Sequence, residues 1–227
     1  LSRDKSWAKI TMKDVKTIFM MFCSAIALGS SWAISAEIPR KIESLVSPKI
    51  FQEVMNDRRI EALGHLENHH YLVHAVMLVK ASLTQTRATL THYDLYAQMI
   101  PYIDRSDYMA PEHLLWVEGG VWKFRISSWL KFEEKSPEWI HFRITRGHFA
   151  GMTGDIYFEN RGEKGTLVYF GGEQTASDFP PKFIIERGAE IVFGFTASRM
   201  RSYIESLKHK EFEKNDDSST PRPRSHL

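Results

Sequence analysis

Between residues 114 and 172 apolar and polar residues alternate with a period of two, which a helix cannot bury and a half-covered strand requires. Four segments carry the pattern in succession, 114–118, 121–133, 138–146 and 152–160, and a fifth follows at 165–171. Along 121–133, Trp122, Phe124, Ile126, Ser128, Leu130 and Phe132 share one face, and Lys123, Arg125, Ser127, Trp129 and Lys131 the other. In the next two segments Ile140, Phe142 and Ile144 oppose Trp139, His141, Arg143 and Thr145, while Met152, Gly154, Ile156 and Phe158 oppose Thr153, Asp155, Tyr157 and Glu159. One greasy and one wet face per strand describes an antiparallel sheet over a core. The intervening Lys135-Ser136-Pro137, Gly147-His148 and Asn160-Arg161-Gly162 are turn chemistry. Gly119-Gly120 and Gly171-Gly172 predict bulges or sharp bends.

Such a sheet needs a partner, and the sequence supplies one. Asp178-Phe179-Pro180-Pro181 forms a helix entrance, and a helical pattern runs from residue 182 to about 209. Ile185, Ala189, Val192, Thr196, Tyr203 and Leu207 make its stripe, broadened by Phe193 and Met200. Its first half is apolar almost all round, so it should lie deep against the sheet. Upstream, Ser47-Pro48 predicts a short helix to about residue 56, 59–67 a weak strand, and 71–81 a strand apolar on both faces. Residues 82–100 read as two short helices stopped by Pro101, and 103–108 as a further strand.

The start of the chain obeys different rules. Met12 to Lys16 is basic, 17–28 is apolar and uncharged, and 29–36 ends in small residues. That is the layout of a secretory signal peptide cut after Ala36; the apolar run is shorter than the roughly 20 residues of a membrane span, though retention as an anchor stays open because Ile34 suits the cut poorly. The expectation is export, to a bacterial periplasm. Cys23, the only cysteine, lies in this segment, so the mature domain would rely on its core without disulfides. Removing residues 1–36 lowers the 30 bases and 28 acids of the chain to 25 and 26. The mature domain is then near neutral and has no basic–aromatic track, which argues against nucleic acid as a partner. The expected organisation is residues 1–36 as upstream residues and signal peptide, 37–70 as an N-terminal helix and extra strand, 71–211 as the main domain, and 212–227 as a disordered tail.

Strand, two short helices, six strands and a long helix is an α+β order that resembles the START-like (helix-grip, SRPBCC) superfamily. The resemblance covers about residues 71–209. It is carried by Lys80-Ala81-Ser82-Leu83, Thr91-His92-Tyr93-Asp94-Leu95-Tyr96 and Met99-Ile100-Pro101-Tyr102-Ile103, and by Trp139-Ile140-His141-Phe142-Arg143-Ile144, Gly151-Met152-Thr153-Gly154-Asp155-Ile156-Tyr157-Phe158 and Gly165-Thr166-Leu167-Val168-Tyr169. Within the superfamily these stretches look like the polyketide cyclase/dehydrase or coenzyme Q-binding branch. The resemblance implies a curved antiparallel sheet of six to seven strands around the C-terminal helix, with a cavity between them for a hydrophobic small molecule.

Phe124, Ile126, Phe142, Ile156, Phe158, Tyr169 and Phe193 are the expected wall. Arg199, with Glu118, Ser128 and Tyr169, supplies the polar groups that could turn inward. Taken singly, each apolar residue reads more readily as plain core packing than as ligand contact; only the set, in such a fold, favours a wall. His65, Glu67, His69, His70 and His74 crowd one hairpin, but no HExxH helix or cysteine pair accompanies them, so neither metal nor cofactor is expected. Nor does any nucleophile–base–orienter set stand out. Carriage of a lipid or isoprenoid-like ligand therefore leads. A cyclase or aromatase on a polyketide-like substrate is the alternative, a cavity filled by side chains the third, and transient membrane contact is left open.

Overall fold

The computed structural model describes the backbone of residues 39–121, 124–176 and 182–219, and the side chains of 39–120, 125–176 and 185–207. The expected signal segment and residues 220–227 lie outside the described residues. Eight strands form one antiparallel sheet: β1 (Glu61–Glu67), β2 (His70–Val79), β3 (Ile103–Met109), β4 (Leu114–Val121), β5 (Phe124–Ser136), β6 (Trp139–Gly147), β7 (Thr153–Asn160) and β8 (Thr166–Thr175). Their order is β1-β2-β8-β7-β6-β5-β4-β3. The meander from β3 to β8 thus ends beside β2, and the extra strand 61–67 pairs on the far side of β2 as an edge.

The helices are α1 (Pro48–Asp57), α2 (Leu83–Leu90), α3 (Tyr96–Met99) and α4 (Lys182–Ser219). Their starts obey ordinary capping chemistry. The Ser47 hydroxyl accepts from the Ile50 N–H at 3.3 Å ahead of Pro48, and Ser82 accepts from Gln85 at 3.2 Å. Ser106 ties the helix pair to β3, accepting from the Ala97 N–H at 3.1 Å and donating to the Asp94 carbonyl at 3.0 Å. The last helix continues to Ser219, so residues 212–219, expected to be tail, are helical.

Two cores lie on opposite faces of the sheet. The inner one joins Val73, Met77, Val79, Phe132, Ile140, Phe142, Phe158 and Val168 to Ile185, Ala189, Ala197 and Ile204 of α4. The outer one joins Val76, Leu78, Trp139, Tyr157 and Leu167 to Ile42 and Val54 of the N-terminal segment. This corrects the expectation of one greasy and one wet face in the meander. Over β6, β7 and β8 the outer face is greasy too, because residues 42–55 cover it, and Trp139 and Tyr157 are accordingly buried; β2 is apolar and covered on both faces, as its sequence implied.

The stripe on α4 also differs from the expected one. Ile185, Ala189, Ala197 and Ile204 are buried, Phe193 and Met200 are packed against the core, and Thr196, Tyr203 and Leu207 are only partly covered. The helix packs chiefly along β1 and β2. Glu186 accepts from the Leu66 N–H at 2.8 Å, and Tyr102 donates to the Val192 carbonyl at 3.0 Å. Near the other end Glu205 takes the Lys80 N–H at 2.8 Å and an ion pair from Arg58, whose carbonyl receives Arg201 at 2.7 Å. Among the described residues, no helix is long and apolar enough to cross a membrane.

Candidate functional site

The inner face can be built row by row from the register. One row runs Ile140, Ile156, Phe170, Ala75 and Ala62, and the next Phe142, Gly154, Gly172, Val73 and Gly64. Two glycines in the second row leave room for a ring. A Cβ on Gly154 would lie 2.6 Å from the Phe142 ring, and one on Gly172 would lie 3.4 Å from it. Phe142 therefore lies flat across β7 and β8 and is 1% exposed. These glycines sit in unbroken register, so the bend predicted at Gly171-Gly172 is instead room for rings: Phe142 on the inner face and Tyr169, 2.6 Å from a Cβ built on Gly171, on the outer. At Gly119 the expected irregularity is present, since the pairing with β3 shifts register between Ile103 and Arg105 opposite it, and the strands approach closely there: a Cβ would fall 2.0 Å from the Tyr102 carbonyl oxygen.

From Phe142 a ladder of rings crosses to the helix. Phe142 stacks on Phe170 at 5.0 Å, and Phe170 on Phe193 at 5.3 Å. Because α4 covers mainly β1 and β2, the inward apolar residues of the remaining strands are closed only in part. Val117, Leu130, Ile156, Phe170 and Phe193 are partly buried, and Ile126 is 37% exposed. An apolar, concave surface under one helix is the usual shape of a small-molecule site.

Of the expected wall, Phe142, Ile156, Phe158 and Phe193 come together on this face, with Phe158 fully buried in its floor. Ile126 lies on the same face at its open side, in register with Gly119. Phe124 begins β5, and its side chain is outside the described residues. Two expectations fail. Tyr169 points to the outer face, against Tyr157 and His74, because its partner across β7 is Tyr157 rather than Ile156. Arg199 stands on the solvent side of α4, its guanidinium 4.9 Å over the Phe195 ring. Phe170 is the wall residue that sequence reasoning missed. Four consecutive apolar residues at 167–170 hide the period of two there, although counting back from the 161–165 turn pairs Ile156 with Phe170.

Polar groups inside are few, and of these the Thr86 and Tyr93 hydroxyls have no hydrogen-bond partner. Among the described residues, the buried polar side chains, tyrosines apart, are the hydroxyls of Thr86, Thr89, Ser106, Ser128 and Thr166. Ser128 donates to the His148 carbonyl at 2.7 Å, and Thr166 to that of Ala81 at 2.9 Å. Glu118 turns outward to Arg125 at 3.0 Å. Tyr93 stacks flat on Phe132 at 4.1 Å; burial first, then Tyr96, Tyr108 and Glu134, raises its pKa well above the ordinary phenol value, so it stays protonated. Burial and the Glu186 charge push Tyr71 up to about 12. No carboxylate, ammonium or imidazole is buried on this face among the described residues. The arrangement can desolvate an apolar molecule and offers no acid–base pair near neutrality. The hairpin histidines are dispersed, His65 beside Glu67 and Glu186 and His70 beside Glu173, each at 3.4 Å.

No protein-family model matches the chain, and no curated protein matches it. Solved structures do. A START superfamily protein from Mycobacterium smegmatis aligns with a TM-score of 0.52 at 13% identity, covering 60% of this chain and 98% of that one. TTHA0849 from Thermus thermophilus gives 0.52 at 11% identity over 60% and 98%. The di-domain ARO/CYC StfQ from the steffimycin biosynthetic pathway gives 0.51 at 10% identity over 62% of this chain and 52% of that one. At these identities the likeness concerns the backbone plan. That plan, an antiparallel sheet closed by a long C-terminal helix, is the helix-grip fold of the START superfamily.

Proposed function

We propose that the protein carries a hydrophobic small molecule, lipid or isoprenoid-like, between sheet and α4, without covalent chemistry. The observation that supports this best is the pairing of a partly open apolar face with an interior whose only non-tyrosine polar side chains, among the described residues, are bonded or small hydroxyls. Transfer of such a ligand from water is driven at roughly 25 cal/mol per Å² of apolar surface buried. The sequence layout of residues 1–36 supports action after export, in the periplasm, with cleavage after Ala36. Contact with a membrane during exchange is part of the proposal: Ile191 and Phe195 are 68% and 41% exposed on the solvent side of α4, one turn apart, between Arg187 and Arg199. A cyclase or aromatase acting on a polyketide in the same cavity is the second reading. It is favoured by the buried Tyr93 hydroxyl, which has no hydrogen-bond partner, and would use it as a proton donor.

Native mass spectrometry of the protein from its own host, followed by lipid extraction, tests the first reading: a stoichiometric apolar ligand is expected. Phe193→Arg should weaken its retention about tenfold or more, since the ligand would then meet a charge. Ile126→Glu, at the open side, should do the same without touching the core. Full retention by both variants, with circular dichroism unchanged, would overturn the carrier reading.

A further inference from the structure

A groove of about 570 Å³ runs along β5 and β6, with Lys131, Glu133, His141 and Arg143 on the outer face of the sheet and His113, Phe132 and Glu134 at its end. Lys131 and Arg143 are directly opposite in register. Like charges in that position repel and cost roughly 0.2–1 kcal/mol, a cost that an anion held between them would remove. The acids nearby are engaged elsewhere. Glu133 pairs with Lys135 at 2.5 Å, and this bond, ahead of the weaker fields of His141 and Lys131, lowers its pKa. Glu134 pairs with Arg87 at 2.6 Å, and Asp155 receives Trp139 at 2.7 Å and His141 at 3.0 Å. Among the described residues no ion pair holds Lys131 or Arg143.

We propose that this groove binds a dianionic phosphate group between Lys131 and Arg143. Two fixed cations match a charge of about −2, the value of a phosphate monoester near neutrality. A guanidinium can hold two of its oxygens in a fork while an ammonium supplies a point charge. Thr145, whose hydroxyl is at 3.2 Å from the Trp129 carbonyl, and the imidazoles of His113 and His141 complete a polar wall. The stacked Trp116 and Trp129, 6.0 Å apart, continue the same face beyond Lys131 and are covered by Arg105 at 4.7 Å and Arg146 at 6.0 Å, so the groove ends there. The site is independent of the cavity: it needs neither the carrier reading nor the apolar ligand.

Thermal melts at fixed ionic strength test it. Inorganic phosphate should raise the Tm of the full chain where chloride does not, and Lys131→Gln and Arg143→Gln should each weaken that response about tenfold in phosphate concentration. Arg146→Gln, on the same face but outside the groove, should keep it. In phosphate-free buffer the two groove variants should melt higher than the wild type, because the repulsion is gone. Flotation with phosphatidylcholine vesicles containing phosphatidate identifies the source: binding lost in the same two variants assigns the phosphate to a lipid headgroup, and phosphate stabilisation without flotation assigns it to a soluble ester. Equal stabilisation by phosphate and chloride, or a phosphate response intact in both variants, would overturn the proposal.

Discussion

At Gly64 α4 packs closely on the sheet, and adding one methyl group there measures how tightly the helix closes the grip. A Cβ at this position would lie 2.6 Å from the Ala189 Cβ and 3.3 Å from the Glu186 carbonyl oxygen. Carbon–carbon contact is comfortable at about 3.5–4.0 Å, so in Gly64→Ala the helix must retreat by about an ångström. Retreat stretches the 2.8 Å bond from the Leu66 N–H to Glu186. Overpacking of this kind costs about 1–3 kcal/mol, partly offset by the lower entropy of the unfolded Ala chain, about 0.4–1 kcal/mol. The net expectation is a loss of about 1–2 kcal/mol, or about 2–8 °C in Tm for a domain of this size. Urea unfolding should show a lower midpoint with an unchanged slope. Ala189→Gly alone should cost about 1 kcal/mol of helix propensity, but in the Gly64→Ala background it should cost much less, because it removes the clashing methyl. A Gly64→Ala protein as stable as the wild type, or strictly additive effects in the double variant, would refute the close approach of α4 to β1.

Gly188 provides the opposite case on the same helix: nothing lies within 4 Å of a Cβ built there, so Gly188→Ala should stabilise the protein by about 0.5–1 kcal/mol in urea melts, and destabilisation would mean that this face is covered. His74 makes stability depend on acid. Burial lowers its imidazole pKa, and its Nε2 is buried without a hydrogen-bond partner. It therefore stays neutral in the folded state while the unfolded chain takes up a proton near pH 6.5. Its contribution is complete above that pH and is lost as pH falls through the depressed folded value. His74→Phe, which keeps a ring against Tyr169, should flatten the decline in Tm between about pH 7 and 5; equal slopes in the two proteins would remove His74 from the account.

Local chemistry determined much of this protein from its sequence alone. Period-two alternation placed β5, β6 and β7 with the right faces, since a strand's two sides differ wherever only one is covered. Ser47-Pro48, Ser82 and Pro101 placed the helix ends because capping and proline geometry act within a turn. Phe142, Ile156, Phe158 and Phe193 were legible as inward for the same reasons. Tertiary structure decided what no local pattern contains. The N-terminal segment buries Trp139 and Tyr157 from outside, so an apolar residue no longer implies the inner face: Tyr169, expected inward, faces out, and Phe170, for which the sequence named no role, stands on the wall. The rotation of α4 about its axis depends on which residues fit β1, where Gly64 admits Ala189 and no larger side chain. That fit turns Phe193 inward and Arg199 to solvent. The meeting of Lys131 with Arg143 is likewise a matter of register between two strands, fixed by the turn and bulges that join them. Sequence sets what each segment prefers; only packing between distant segments fixes which face a residue shows, and the candidate sites are made of those faces.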